Sequence, residues 1–340
     1  MNEFGSNNSD LQEEKEEKFS KIGEIALGTY ISLLYEGSKD IDYEKFLIER
    51  VISLGDLNEK EVQELNNSSN KPFRDSGGNE YSAKLAYFVD AFWKKLDITE
   101  REILENELGD KKGPLLLEPL LGLSEELFES EEGVNSFLSI MRKDFDKMLL
   151  VSLLTNREFG LGIYKNPEGK YLINRFPQCG KFGAIPNVKN EGLENIFFIH
   201  THPVLTDFDR VEKRFVGADG FSYNPDDEED ERSDWLGFLS HIYSRAKVES
   251  VLSSNGHLSL IVFKDMDIDE VVKRAKEERK GLYTEDLAML DEEGVITDVV
   301  SKNVLKVLTD NSNFVGIDKK LTHIFGYDLY EGSVDLVRKV

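Results

Sequence analysis

Asn195-Ile-Phe-Phe-Ile-His-Thr-His-Pro203 is the stretch on which the reading of this chain turns. Its first five residues form an apolar run of strand length, as expected of a strand buried on both faces in the centre of a sheet. His200 and His202 follow at i and i+2, so on a continued strand both imidazoles leave the same face. Pro203 lacks an amide hydrogen and is expected to end the ladder. Two imidazoles side by side at a strand end can bind one metal ion, and a site of that kind also needs a third protein ligand and an open position for water. His241, His257 and His323 stand alone in sequence and read as structural residues.

The surroundings of this strand give the expected domain. Val134, Phe137, Leu138, Met141, Phe145, Met148 and Leu149 mark one strong amphipathic helix. Gly160–Tyr164 and Lys170–Asn174 flank Asn166-Pro-Glu-Gly169 and read as a hairpin. Trp235–Arg245 reads as a helix. Val248–Leu252 and Leu258–Phe263 read as strands about the turn Ser254-Asn255-Gly256. Together they predict an α/β domain with a mixed sheet over residues 131–265.

The flanks look different. Residues 1–10 are polar and read as a disordered tail, and residues 11–130 read as a helical region. Within it Leu85, Phe88, Val89, Phe92 and Leu96 line one helix face, Thr99 with Glu102 has capping-box spacing, and Gly109 is placed to stop that helix. Asn67–Gly78 reads as a loop. Residues 266–340 read as a helical C-terminal extension, opened by Asp267 with Glu270 at capping-box spacing.

Composition narrows the partners. The chain has 340 residues, 66 acidic against 42 basic, for a formal charge of −24. Such a chain is repelled by phosphate backbones and anionic headgroups, so neither nucleic acid nor a membrane surface is expected to bind it. Hydrophobic residues make up 39% of the chain, with 21 Phe and 12 Tyr, enough for a sizeable core. The apolar run Met148–Leu154, interrupted by Ser152, is too short to span a bilayer. The single cysteine, Cys179, excludes an intramolecular disulfide, and Gln178-Cys179-Gly180 carries no nucleophile signature. With no signal-peptide pattern at the N-terminus, a cytoplasmic location is expected.

A hydrolytic metal site needs a base to manage the proton of its water. Glu158 is the candidate: it opens the first hairpin strand in Glu158-Phe-Gly-Leu-Gly162, beside glycines that leave room for a cavity. The order of Glu158 before its Gly-hydrophobic-Gly strand, His200-Thr-His-Pro203, Ser233-Asp234 opening a helix, and Val248–Phe263 as a closing strand pair resembles the JAB/MPN domain. That domain has a cytidine deaminase-like fold, and its catalytically competent members are the JAMM metallopeptidases. The resemblance covers residues 135–265. It implies a Zn2+ cofactor held by His200, His202 and Asp234, with Glu158 as the catalytic acid–base. It also implies a protein or peptide substrate cut at a peptide or isopeptide bond, as at the tail of a ubiquitin-like protein.

This chain departs from the family pattern in two places. The family aspartate falls eleven residues after the second histidine, where this chain has Lys213; Asp234 lies 234 − 202 = 32 residues on, an insertion of about 21 residues. The family's helper serine stands three residues before the aspartate, where this chain has Glu231; Ser233 is its nearest substitute, and Asp209 is the alternative third ligand. Two other functions fit the same residues: a metal-free MPN-like scaffold, and a zinc amidase acting on a peptidoglycan-type peptide. The insertion between Val204 and Arg232 contains Asp226–Glu231, a self-repelling acidic run expected to form a loop that gates or selects substrate. Replacing residues 211–230 with a short Gly/Ser linker should therefore change turnover or substrate preference. Kinetics unchanged on every cleaved substrate would leave the insertion without a role in selection.

Overall fold

The computed structural model describes residues 19–35, 43–68, 72–74, 80–109, 117–180, 192–202, 208–209, 214–215, 246–264 and 317–340, with single positions between 270 and 277. The N-terminal region supplies helices α1 (Lys21–Tyr35), α2 (Tyr43–Leu54), α3 (Glu59–Ser68), α4 (Lys84–Lys95) and α5 (Ile98–Glu107). It is not wholly helical. Strands β1 (Pro72–Arg74), inside the stretch expected to be loop, and β2 (Glu80–Ser82), just after it, form a small antiparallel pair. Leu85, Phe88, Val89, Phe92 and Leu96 of the α4 face are all buried. The capping box that opens α5 is Asp97 with Glu100, two residues before the expected pair. Glu100 is buried and also takes an ion pair from Lys147 at 2.5 Å, a distant partner that selects it over Glu102.

A long central helix, α6 (Glu131–Thr155), connects this region to the sheet. Ser130 caps it by accepting the Gly133 amide at 3.1 Å, and Glu131 and Glu132 lie in its first turn, where the positive end of the helix dipole favours them. Every residue from Met148 to Thr155 is buried, so its C-terminal half has core on all sides. One side meets α1 and α2, and the other meets the sheet. The helix ends at Asn156 in the left-handed conformation, φ 51°, which asparagine tolerates and which turns the chain directly into β4.

The sheet has eight strands in the order β12-β11-β10-β9-β6-β4-β5-β3. Their ranges are β3 (Glu118–Leu120), β4 (Glu158–Lys165), β5 (Tyr171–Gly180), β6 (Glu194–His202), β9 (Val248–Ser253), β10 (His257–Val262), β11 (Asp328–Ser333) and β12 (Leu336–Lys339). All neighbours are antiparallel except β6 and β9. The architecture is therefore a mixed α/β sheet, and both expected hairpins are present. Gly169 and Gly256 take positive φ at their turns (77° and 87°). Strands β7 (Phe208–Asp209) and β8 (Arg214–Phe215) form a separate two-stranded ladder at the start of the expected insertion. The helix expected over Trp235–Arg245, the acidic run 226–231 and the Asp267 cap lie outside the described residues.

The C-terminal region differs from the expected helical extension. After α7 (Ile317–Phe325) it forms the β11–β12 hairpin, which completes the main sheet. Pairing of β11 with β10 through six residues buries Tyr330, and Val337 of β12 joins the same core. A helix here would have left the β10 edge without that partner. β3 likewise enters the sheet from before residue 131, so the sheet reaches beyond both ends of the expected 131–265 span.

The edge strand β12 is covered by the first turns of α6. The Asn135 amide accepts the Val337 N–H at 2.9 Å and donates to the Val337 carbonyl at 3.0 Å, as a neighbouring strand would, while Glu131 accepts the Lys339 amide at 2.9 Å. This occupies backbone groups that could otherwise recruit another strand. Asn135→Ala is expected to cost about 2 kcal/mol of unfolding free energy, from part-buried backbone groups losing their partners. Hydrogen exchange at Val337 should quicken in the same variant. Unchanged exchange there would mean that the amide does not hold the edge.

Candidate functional site

Alternation along β6 separates a structural face from a chemical one. Phe197 and Ile199 enter the main core with Phe137 and Phe145 of α6; the ring centroids of Phe197 and Phe137 lie 4.7 Å apart. Phe198 belongs to a separate small cluster with Ala246 on the opposite face. His200 and His202 share that opposite face. They are 5% and 9% exposed, low enough that neither ring is a surface side chain. Their Nε2 atoms are 3.1 Å apart, with the rings tilted by 58°. The His200 ring is also stacked on Phe198 at 6.0 Å, which limits its rotation.

The pair lies where the parallel strands β6 and β9 both reach their C-terminal ends: His200 is level with Val251, and His202 with Ser253. Open α/β sheets bind ligands at such carboxyl ends. On the other side, Gly160 of β4 is level with His200. Extending that antiparallel register by two residues brings Glu158 level with His202 and onto the same face. Glu158 is half-buried. The side chains of Phe159, Leu161 and Ile163 go to the α6 core instead, which confirms the alternation along β4.

Strand β5 bends beside this point. Phe159 pairs with Gln178 and Leu161 with Arg175, so β5 spends an extra residue opposite β4, and a second irregularity follows at Glu158. Phe176, inside the first bulge, has φ 57° although it is not glycine, and it is held there by complete burial. Bulges of this kind redirect the backbone next to binding sites.

A chain of buried hydrogen bonds joins the three elements around the histidines. The Phe159 N–H donates to Thr201 Oγ1 at 3.0 Å, Thr201 Oγ1 donates to Ser152 Oγ at 2.7 Å, and Ser152 Oγ donates to the Arg157 carbonyl at 2.7 Å. Sequence reasoning missed both hydroxyls. Thr201 lies between the two histidines on the face they do not use, and Ser152 was legible only as the polar break in an apolar run.

The donor set fits zinc as far as it is described. Two imidazole nitrogens bound to one tetrahedral ion at about 2.0–2.1 Å would stand about 3.3–3.4 Å apart, close to the separation observed. The same 3.1 Å also suits a single N–H···N hydrogen bond between the rings. Among the described residues no group of three or more His, Cys, Asp or Glu is placed to hold a metal ion. Asp234 and Ser233 lie outside the described residues. The Asp209 backbone pairs with Arg214 in the β7–β8 ladder. The structure thus places His200 and His202 on one face of β6, and the β4 register continued from Gly160 puts Glu158 on that same face. No described helix is long and apolar enough to cross a membrane. Comparisons with protein-family models, with curated proteins and with solved structures returned no match, so the family likeness rests on the residues themselves.

Proposed function

We propose that this protein is a zinc-dependent hydrolase of a peptide or isopeptide bond, built as a JAB/MPN-like domain. The observation that carries the reading is the convergence of two buried imidazole nitrogens, 3.1 Å apart, at the carboxyl ends of a parallel strand pair. Support also comes from Glu158, which opens the neighbouring strand on the same face. Placing two buried histidines ring to ring on a central strand has no evident packing benefit, since an aliphatic pair would fill the volume without polar atoms to satisfy.

His200 and His202 would hold the metal with Asp234, or with Asp209 in its place. Zinc supplies a Lewis acid that polarises the scissile carbonyl and acidifies the attacking water. Glu158 accepts the proton released from that water and delivers it to the departing amine nitrogen, so that the amine leaves neutral. Its half-buried position leaves it open to solvent, as a group that exchanges protons requires. Phe198, stacked on His200, restricts the rotation of that ring. A protein substrate with a flexible tail suits this reading, because an extended segment can enter a site at a sheet end. By the same likeness, a ubiquitin-like tail is the first substrate to try.

Protein purified without chelator should contain about one zinc per chain, as a single site requires. Protein that binds no metal even on addition would favour the scaffold reading. Cleavage confined to cell-wall peptides would favour the amidase. Three variants assign the acidic residues. Glu158→Gln should keep its zinc and fold while turnover falls by on the order of a hundredfold or more. Asp234→Asn should lose zinc affinity and activity together, and Asp209→Asn should change neither. An active Glu158→Gln enzyme, or zinc loss in Asp209→Asn alone, would overturn these roles.

A further inference from the structure

The two peptide units on either side of Glu158 are both held by one buried relay. The unit before it presents the Arg157 carbonyl, which accepts from Ser152 Oγ at 2.7 Å. The unit after it presents the Phe159 N–H, which donates to Thr201 Oγ1 at 3.0 Å. Thr201 and Ser152 complete the relay through their own 2.7 Å hydrogen bond, and both are fully buried. Fixing both flanking peptide planes fixes φ and ψ of the residue between them, and hence the direction in which its side chain leaves the strand.

The relay has a second anchor. Thr201 is the residue between His200 and His202, so whatever holds its hydroxyl also holds the backbone from which both imidazoles project. Ser152 belongs to the last turns of α6, where every residue from Met148 to Thr155 is buried. A threonine facing away from the chemistry and a serine on a core helix thus tie the acid to the histidines. Both hydroxyls are themselves buried, and each satisfies the other as well as a backbone group, as buried polar groups in folded proteins do. Asn156, in the left-handed conformation just before Arg157, makes the turn that brings the carbonyl back to Ser152.

We infer that Thr201 and Ser152 are positioning residues for the acid–base step: they touch neither substrate nor metal, and set Glu158 in register with the histidine pair. This rests on the hydrolase reading above and extends it to residues on the far side of the strand. Catalytic groups must be held to within a fraction of an ångström of the productive geometry, and core elements hold them better than loops do.

The test uses full-length protein and four backgrounds: wild type, Thr201→Val, Thr201→Ser and Ser152→Ala, with Thr201→Val also built into Glu158→Gln. The probe substrate is the fluorogenic peptidyl amide that the wild type cleaves fastest. Thr201→Val should keep its zinc content while kcat falls at least about tenfold with KM unchanged, the pattern of a lost transition-state interaction. Thr201→Ser, which retains the hydroxyl, should restore most of that loss. In the Glu158→Gln background Thr201→Val should cause no further fall, because a residue acting through Glu158 has nothing left to position. Ser152→Ala keeps the proposal testable if Thr201→Val does not fold, and it should reproduce the loss in kcat.

A readout independent of turnover is amide exchange in the metal-free protein. Exchange at Phe159 should quicken about tenfold or more in Thr201→Val and stay slow in Thr201→Ser. Equal losses of kcat in the presence and absence of the Glu158 carboxylate would overturn the positioning role, as would an unchanged kcat in Thr201→Val. Wild-type protein that neither binds zinc nor cleaves any probe would overturn the hydrolase reading and the catalytic half of this inference with it. Unchanged Phe159 exchange would overturn the relay itself.

Discussion

Strand β6 is buried on both faces, and the rest of the structure follows from how its two faces are satisfied. A central strand with α6 on one side must send alternate side chains to different environments. Phe197 and Ile199 meet α6 in the main core, while Phe198, His200 and His202 face away. Thr201 falls on the core face, where an unpaired hydroxyl would be costly, and Ser152 and the Phe159 peptide supply its partners. A slip of one residue along β6 would send both histidines into the α6 core and Thr201 out to the site. The register of the sheet and the chemistry of the site are therefore one constraint.

Much of this was legible in the chain because the signals are local. The apolar run before His200 has strand length, the turns at Asn166–Gly169 and Ser254–Gly256 carry their own residue types, and the α6 face repeats with helical period. Glu158 was legible through its glycine neighbours. The elements that were misread depend on distant partners. Two capping-box spellings overlap at Asp97–Glu102, and the ion pair from Lys147 to Glu100 favours the earlier one. β11 and β12 are short, and Gly332 falls within β11, so nothing in their own pattern outweighs helix; the open edge of β10 supplies the reason that they are strands. Thr201 and Ser152 were invisible for the same reason, since each is an ordinary polar residue until the other is placed beside it.

The end of the sheet opposite the site is held by charge. Glu125 accepts from Lys165 at 2.6 Å and from Lys247 at 2.5 Å, and Lys247 reaches Glu194 at 2.8 Å. These pairs join the end of β4 to the approaches of β6 and β9. The two lysines hold the Glu125 carboxyl below the usual carboxylate range, chiefly through their hydrogen bonds. A carboxylate whose pKa is lowered by folding contributes stability above its unfolded value and loses it as pH falls through the folded value. The contribution is small, because the lysines are substantially exposed and water screens the pairs. The histidine end of the sheet carries the relay through Thr201 and Ser152. Its order comes from buried hydrogen bonds, which salt does not weaken.

The direction of the chain around β6 and β9 bears on the third ligand. Parallel strands need a long crossover, and here residues 203–247 make it. That connection leaves directly from His202, at the mouth of the site, and returns at Ala246 beside Phe198, at the other end of the strands. Both candidate aspartates lie within it, so a ligand from this segment needs no further element brought to the site. Asp209 comes early in it, on the short β7–β8 ladder. Asp234 comes late, after the acidic run and directly after Ser233. A helix between residue 234 and the return at Ala246 would put Asp234 in its first turn, where a carboxylate is favoured by the helix dipole and free of strand pairing. The Asp209 backbone is instead paired with Arg214 in a two-residue ladder.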